Sequence, residues 1–229
     1  MESQRSFGKC FELLQAGDVD GLRQTLELDS SAAEACDAAG VSLLMQSLYR
    51  GHCDLAELIA SRKNALDIFE AASLGRLDRL KQCIRDGSAT DARSVDLPSL
   101  DLPSKDGFTA LHFACFFGQP EAARVLLENG ASVDAVAANP TQVMPLHSAA
   151  SVRNLEAARL LLDHGASVNA RQQAGWVPLH AAAQNGDRPM VELLLQRGAD
   201  PTLANHQGNT PAMIAKEKGH NEIADLLEK

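Results

Sequence analysis

Three histidines, His112, His147 and His180, recur at intervals of 35 and 33 residues, and imidazole is the commonest side-chain ligand of transition metals. A metal site needs its ligands to converge on one point. Near-equal spacing at the length of a structural unit distributes the rings one per unit, so they read as a row of hydrogen-bonding framework groups. His112 and Cys115 form an i, i+3 pair, a spacing at which a base and a thiol share one helical face. Cys115 stands where sister segments carry Ala150 and Ala183, which predicts a buried and inert thiol. The chain has five cysteines, an odd number with no C-x-x-C pair, so neither a disulfide framework nor a zinc ribbon is indicated and a reducing compartment suits them.

Other chemistry is as thinly supported. Glu121 with Glu128, and Asp225 with Glu228, pair carboxylates on outward helix faces and read as solvated surface. Glycines recur with the period, and neither a G-x-G-x-x-G run nor a P-loop is present. The net charge of −9 carries no basic stripe to track a phosphate backbone. No apolar run reaches the roughly 18 to 20 residues of a membrane span, and the first residues lack a signal-peptide pattern. The expectation is a cytoplasmic monomer without cofactor or metal, and without nucleic-acid or membrane partners.

Ala (36) and Leu (32) dominate the composition, against 11 Val, 5 Ile and only 4% aromatic residues. That balance favours helices and excludes an all-β fold. The composition is thus that of a helical protein. Self-similarity then supplies the organisation. Thr109-Ala-Leu-His112, Met144-Pro-Leu-His147, Val177-Pro-Leu-His180 and Thr210-Pro-Ala-Met213 open blocks spaced by 35, 33 and 33 residues. The first three blocks close alike, on Gly130-Ala131, Gly165-Ala166 and Gly198-Ala199. Within a block, apolar residues such as Ala157, Leu160 and Leu161 recur at helical spacing and give one buried stripe per helix. Two such helices cannot close a core alone, whereas stacked neighbours with small Ala pairs can. Pro145, Pro178 and Pro211 fit first helical positions, Thr109 and Thr210 fit caps, and the closing glycines fit left-handed helix ends.

These motifs resemble the ankyrin repeat, whose pattern is Gly-x-Thr-Pro-Leu-His-x-Ala-Ala-x-x-Gly, a second helix, then Gly-Ala-Asp/Ser-Val-Asn. Aligning Gly17, Gly51 and Gly75 with Gly118 extends the phase through the N-terminal half. The resemblance thus implies an all-α fold in one domain over 1–229, a helical solenoid with short hairpin fingers between helix pairs. Seven repeats start near 8, 42, 66, 109, 144, 177 and 210. No repeat has a complete Thr-Pro-Leu-His, since Ala110 replaces Pro, Met144 and Val177 replace Thr and Met213 replaces His, so the family's link between Thr hydroxyl and His is expected to be partial. Two intervals are irregular. From Ser42 to Leu66 the step is too short for a finger, so Asn64 is expected to cap the next helix directly. From Leu66 to Thr109 it is some ten residues too long, and the excess is assigned to a Pro-interrupted loop insertion at about 91–105.

In the ankyrin architecture the concave face is built from the fingers and from the residue pair before each inner-turn glycine. The chain's few aromatics gather there. The pairs include Tyr49-Arg50, Ser73-Leu74, Phe116-Phe117, Ser151-Val152 and Gln184-Asn185, and the finger ends hold Phe108, Val143 and Trp176. The repeat does not require aromatics at these positions, and such residue types dominate interface energetics. The expected partner-binding set is Tyr49, Arg50, Leu74, Phe108, Phe116, Phe117, Val152, Arg171, Trp176 and Gln184. The resemblance implies a non-enzymatic scaffold that presents this groove to a protein partner. Alternatives are that the 91–105 insertion is the functional element, as a linear motif or a plug over the groove, or that the phenylalanines pack beneath it. A thiol enzyme built on Cys115 is the reading from another class.

Overall fold

A computed structural model describes residues 2–87 and 100–228. Among these, fourteen α-helices follow one another, with a short 3-10 helix at Ser30–Glu34. They are α1 (Glu2–Ala16) and α2 (Val19–Leu28), α3 (Leu43–Tyr49) and α4 (Cys53–Arg62), α5 (Ile68–Ser73) and α6 (Leu77–Asp86), and α7 (Ala110–Phe116) and α8 (Pro120–Glu128). Then follow α9 (Pro145–Ser151) and α10 (Leu155–Asp163), α11 (Pro178–Gln184) and α12 (Arg188–Gln196), and α13 (Pro211–Glu217) and α14 (Asn221–Leu227). No strand forms among the described residues, and the fold is all-helical. The chain divides into two compact units, Met1–Glu70 and Ala71–Lys229.

Helices of two turns are unstable alone in water, so in the second unit their stability comes from stacking. The inner helices α7, α9, α11 and α13 pack in a row, backed by α8, α10 and α12. Ala149, Ala150, Ala182 and Ala183 are fully buried between inner helices, and Leu126, Leu161 and Leu194 fill the layer behind. Pro145, Pro178 and Pro211 each occupy the first helical position, and the Thr109 and Thr210 hydroxyls accept the N–H groups of His112 and Met213. The turn inside each pair needs a left-handed residue. Gly118, Gly186 and Gly219 supply it, while Arg153 adopts φ 61° in its own pair and there carries the strain of a side chain in that region.

Between pairs the chain folds into fingers. The N–H groups of Ser104, Ala137, Gln172 and Asn205 donate to the carbonyls of Phe108, Val143, Trp176 and Asn209 at 2.8, 2.9, 3.0 and 3.0 Å. Neighbouring fingers are tied by Ala138 N–H to the Gly107 carbonyl at 2.7 Å, Gln173 N–H to the Thr141 carbonyl at 3.2 Å, and His206 N–H to the Ala174 carbonyl at 3.1 Å. Asp101, Asp134 and Asn169 each accept a backbone N–H from the next finger, at Ser132, Ser167 and Asp200. Asp101 thus holds a regular finger position, and Leu100–Lys105, within the expected 91–105 insertion, begins an ordinary finger. The rest of that insertion lies outside the described residues. By residue count, the ten surplus residues fall between Gly87 and Asp101.

The histidines join helix to finger. His112 Nδ1 accepts the Thr109 N–H at 3.3 Å and pairs with its hydroxyl at 2.8 Å, while Nε2 lies 3.0 Å from the Val143 carbonyl. His147 bridges Met144 N–H and the Trp176 carbonyl at 3.3 and 3.2 Å, and His180 bridges Val177 N–H and the Asn209 carbonyl at 3.0 and 3.0 Å. A carbonyl only accepts, so each ring is the neutral Nε2–H tautomer. Where Met144 and Val177 lack a hydroxyl, their backbone N–H keeps the ring oriented. Burial pushes all three rings below the ordinary histidine value, His112 to about 4.

In the first unit, the step from α4 to α5 has no finger, and a polar cluster fills the joint. Lys63 lies 3.1 Å from both Glu34 and Glu70, with only 7% of its side chain exposed and 1% of Glu70's. Glu70 also accepts from the Ser42 hydroxyl at 2.7 Å. Burial alone would lower the Lys63 pKa, but the two carboxylates overcome it and raise the ammonium above its usual value. The expected capping role of Asn64 is corrected here. Its N–H and side-chain amide donate to Glu34, and α5 is capped instead by Asp67, whose carboxylate accepts Glu70 N–H at 2.8 Å while Glu70 accepts Asp67 N–H at 3.2 Å. This reciprocal pair is a capping box, placed by helix phase one residue before Ile68.

Replacing Lys63 by Ala leaves the buried Glu70 charge uncompensated, and denaturant unfolding is expected to show a loss of about 3 kcal/mol. Lys63→Ala combined with Glu70→Gln is expected to recover much of that loss. The histidines set a pH dependence. Unfolded, the rings titrate near 6.5, and His112 in the fold only near 4, so between these values the unfolded state binds more protons. Stability from this source is complete above pH 6.5 and is lost as pH falls through that window, by about 3 kcal/mol for His112. In melting curves, His112→Gln is expected to start less stable at pH 7.5 and to lose correspondingly less by pH 4.5.

Candidate functional site

In the second unit, the finger ends and residues of α7, α9 and α11 line a half-open cavity of about 210 Å3. Phe108 and Val143 come from the finger ends and Phe116 from the last turn of α7. His147, Ser148 and Ser151 come from α9, and Ala181 from α11. Thr141, Gln172, Trp176 and Val177 complete the lining. None of these residues is a carboxylate, lysine or arginine, and the one titratable ring, His147, is held neutral by burial.

Each aromatic is placed by the framework. The His147 ring bonds the Trp176 carbonyl, and the Trp176 indole lies against His180 with ring centroids 5.4 Å apart. Phe108 lies 5.8 Å from both the His112 and Phe113 rings. Phe116 is 43% exposed and meets Phe117 edge to face at 5.2 Å. Phe117 stacks back on Phe113.

Of the expected partner-binding residues, Phe108, Phe116 and Trp176 converge on this cavity. Leu74, Phe117, Val152, Arg171 and Gln184 are not in its lining. Arg171 clips two fingers together by donating to the Gly175 and Ala204 carbonyls at 2.9 and 2.8 Å. The Gln184 side chain is exposed, and its carbonyl accepts from His220. Tyr49 and Arg50 are exposed in the first unit. Ser148 and Ala181 were not singled out from the sequence. They lie one helical turn before Ser151 and Gln184, and extending the concave pair backward by three residues finds them.

Reactive chemistry is absent from the His112 and Cys115 pair. Both ring nitrogens are committed to backbone partners, and complete burial raises the thiol well above its ordinary value. No group of three or more His, Cys, Asp or Glu among the described residues is arranged to hold a metal ion. No helix among them is long and apolar enough to cross a membrane. Asn169 donates to the Gly198 carbonyl and accepts from Asp200 N–H, so its amide ties adjacent fingers.

A family model described as ankyrin repeats (3 copies) matches residues 44–172 and 165–229. Ankyrin repeat domain-containing protein oryK of Aspergillus oryzae (strain ATCC 42149 / RIB 40) is 42% identical over 66 residues. That alignment covers 29% of this chain and 9% of the relative, so the match spans less than a tenth of the relative's length.

The burial pattern separates the cysteines. Cys36 and Cys53 are exposed, and Cys10, Cys83 and Cys115 are buried. Thiol labelling of the native protein followed by peptide mapping is expected to modify Cys36 and Cys53 quickly and to leave Cys115 untouched until denaturant unfolds its helix. Rapid native labelling of Cys115 would contradict the geometry.

Proposed function

The chain belongs to the ankyrin-repeat family, whose members generally mediate protein–protein interaction, and on that premise we propose that it is a non-enzymatic scaffold binding a protein partner through its concave groove. The observation that carries this reading is the convergence of Phe108, Phe116 and Trp176 on one apolar cavity in a chain with nine aromatics. Stacking leaves Phe116 exposed and Phe108 and Trp176 half-buried, and accessible aromatic clusters are characteristic of interface hot spots. Arg171 and Gln184 are assigned to a polar rim and Leu74, Phe117 and Val152 to further apolar contacts, while Tyr49 and Arg50 are assigned to a separate contact within the first unit. A preformed groove binds with little ordering cost, because the fingers and helices are already fixed by backbone bonds. The proposed setting is a reducing, cytoplasmic one, with the chain acting as a monomer.

The test is quantitative capture of partners from cell extract by the intact protein and two variants, Phe116→Ala and Trp176→Ala. Each substitution is expected to weaken capture by about 10-fold or more. Phe116 is half exposed, so melting is expected to move little. Undiminished capture with unchanged melting would remove the groove from the account.

A further inference from the structure

The cavity narrows what the groove can accept, and its dimensions and chemistry go further than a general interaction surface. A cavity of about 150 Å3 lined by apolar side chains holds one benzene ring, so the 210 Å3 here is sized for a single large side chain with some of its backbone. Phe108, Phe116 and Trp176 offer aromatic surfaces from three different segments, suited to edge-to-face or offset contact with an incoming ring. The surroundings also discriminate by charge. The chain carries −9 overall, yet neither Asp, Glu, Lys nor Arg lines the cavity. An incoming ammonium or carboxylate would lose hydration and meet no counter-charge. Ser148, Ser151, Thr141 and Gln172 place polar groups in the lining, where the backbone of an extended segment can find hydrogen-bond partners.

We infer that this cavity is an anchor site for one uncharged aromatic side chain, presented by an extended segment of a protein partner. The inference rests on the groove reading above and specifies the partner chemistry that the groove selects. Ala181 and Ser151 stand at its lining on two different helices, and both are small, so the cavity exists because these positions carry no bulk. Ser151 is exposed and Ala181 half-buried, so leucine at either position adds its bulk to the cavity.

Trp176 is the chain's one tryptophan, so its emission reports on the cavity alone. The experiment titrates the full chain with N-acetylphenylalaninamide, with N-acetyllysinamide and the α-amide of N-acetylaspartic acid as charged comparators, and with tetramethylammonium as a cation-π probe. The expected result is a saturable Trp176 response to the phenylalanine probe, with a dissociation constant on the order of 1 mM. Charged probes are expected to bind about 10-fold or more weakly, and Ser151→Leu and Ala181→Leu each to weaken the phenylalanine probe by about 10-fold with melting unchanged. Either variant alone suffices should the other fail to fold. No saturable response, an equal response to charged probes, tighter binding of tetramethylammonium, or indifference to both leucine substitutions would overturn the inference. Partner capture that depends on Phe116 and Trp176 but ignores Ser151→Leu and Ala181→Leu would overturn the anchor while leaving the groove reading intact. Saturable probe binding with capture indifferent to every groove substitution would overturn the groove reading and the anchor's protein partner with it.

Discussion

The bond from a buried imidazole to the finger of the next repeat is the interaction on which the second unit depends. His112, His147 and His180 each hold one nitrogen against their own helix start and extend the other to a carbonyl 29 to 31 residues onward. A single side chain thereby fixes where the following finger leaves the stack. The bond has a second consequence at the candidate site, because the carbonyl that His147 holds belongs to Trp176. Positioning the repeat and positioning the cavity's indole are the same event. The ring can do this only while neutral, since a protonated Nδ1 could no longer accept the N–H that orients it. Burial secures that state by making the charged form costly.

The first unit solves the same problem differently where a finger is missing. Between α4 and α5 the chain lacks the length to build one, and a lysine between two carboxylates occupies the joint instead. Each member of that cluster makes more than one bond. Glu70 serves Lys63, the Ser42 hydroxyl and the Asp67 N–H, and Glu34 serves Lys63 and Asn64. Desolvating charge is costly unless every partner is supplied, and here helix capping and ion pairing share the same carboxylate. The fingers in the second unit obtain comparable ties from neutral backbone bonds, which lets their outer ends carry apolar rings.

Much of this was legible because the repeat imposes local rules. Proline at a helix start, glycine at a left-handed helix end and alanine between stacked helices each answer to a constraint within a few residues, so Pro178 and Gly165 are placed by spacing alone. The histidine row was legible for the same reason. What escaped depended on partners remote in sequence. Nothing near Lys63 announces Glu34, 29 residues earlier, and Asn64 looked like a cap because its true acceptor lies across the fold. Residue spacing puts Asp101 within the insertion, whereas its bond to Ser132 makes it the counterpart of Asp134 and Asn169. Among the aromatics, the concave-face pairs implied by the ankyrin resemblance single out Phe116 and Phe117 together. Adjacent helical residues point about 100° apart, and only Phe116 lines the cavity, its neighbour stacking on Phe113.

The claim that neutral imidazoles hold the fingers, and through them the Trp176 end of the groove, can be tested directly by a long-range proton–nitrogen correlation spectrum of the histidine rings. The account predicts that His112, His147 and His180 each appear at pH 7 as the Nε2–H tautomer, with a slowly exchanging ring proton. It also predicts that His112 remains neutral well below pH 6.5. Rings found as the Nδ1–H tautomer, or titrating together near 6.5 as solvent-exposed histidines do, would contradict it.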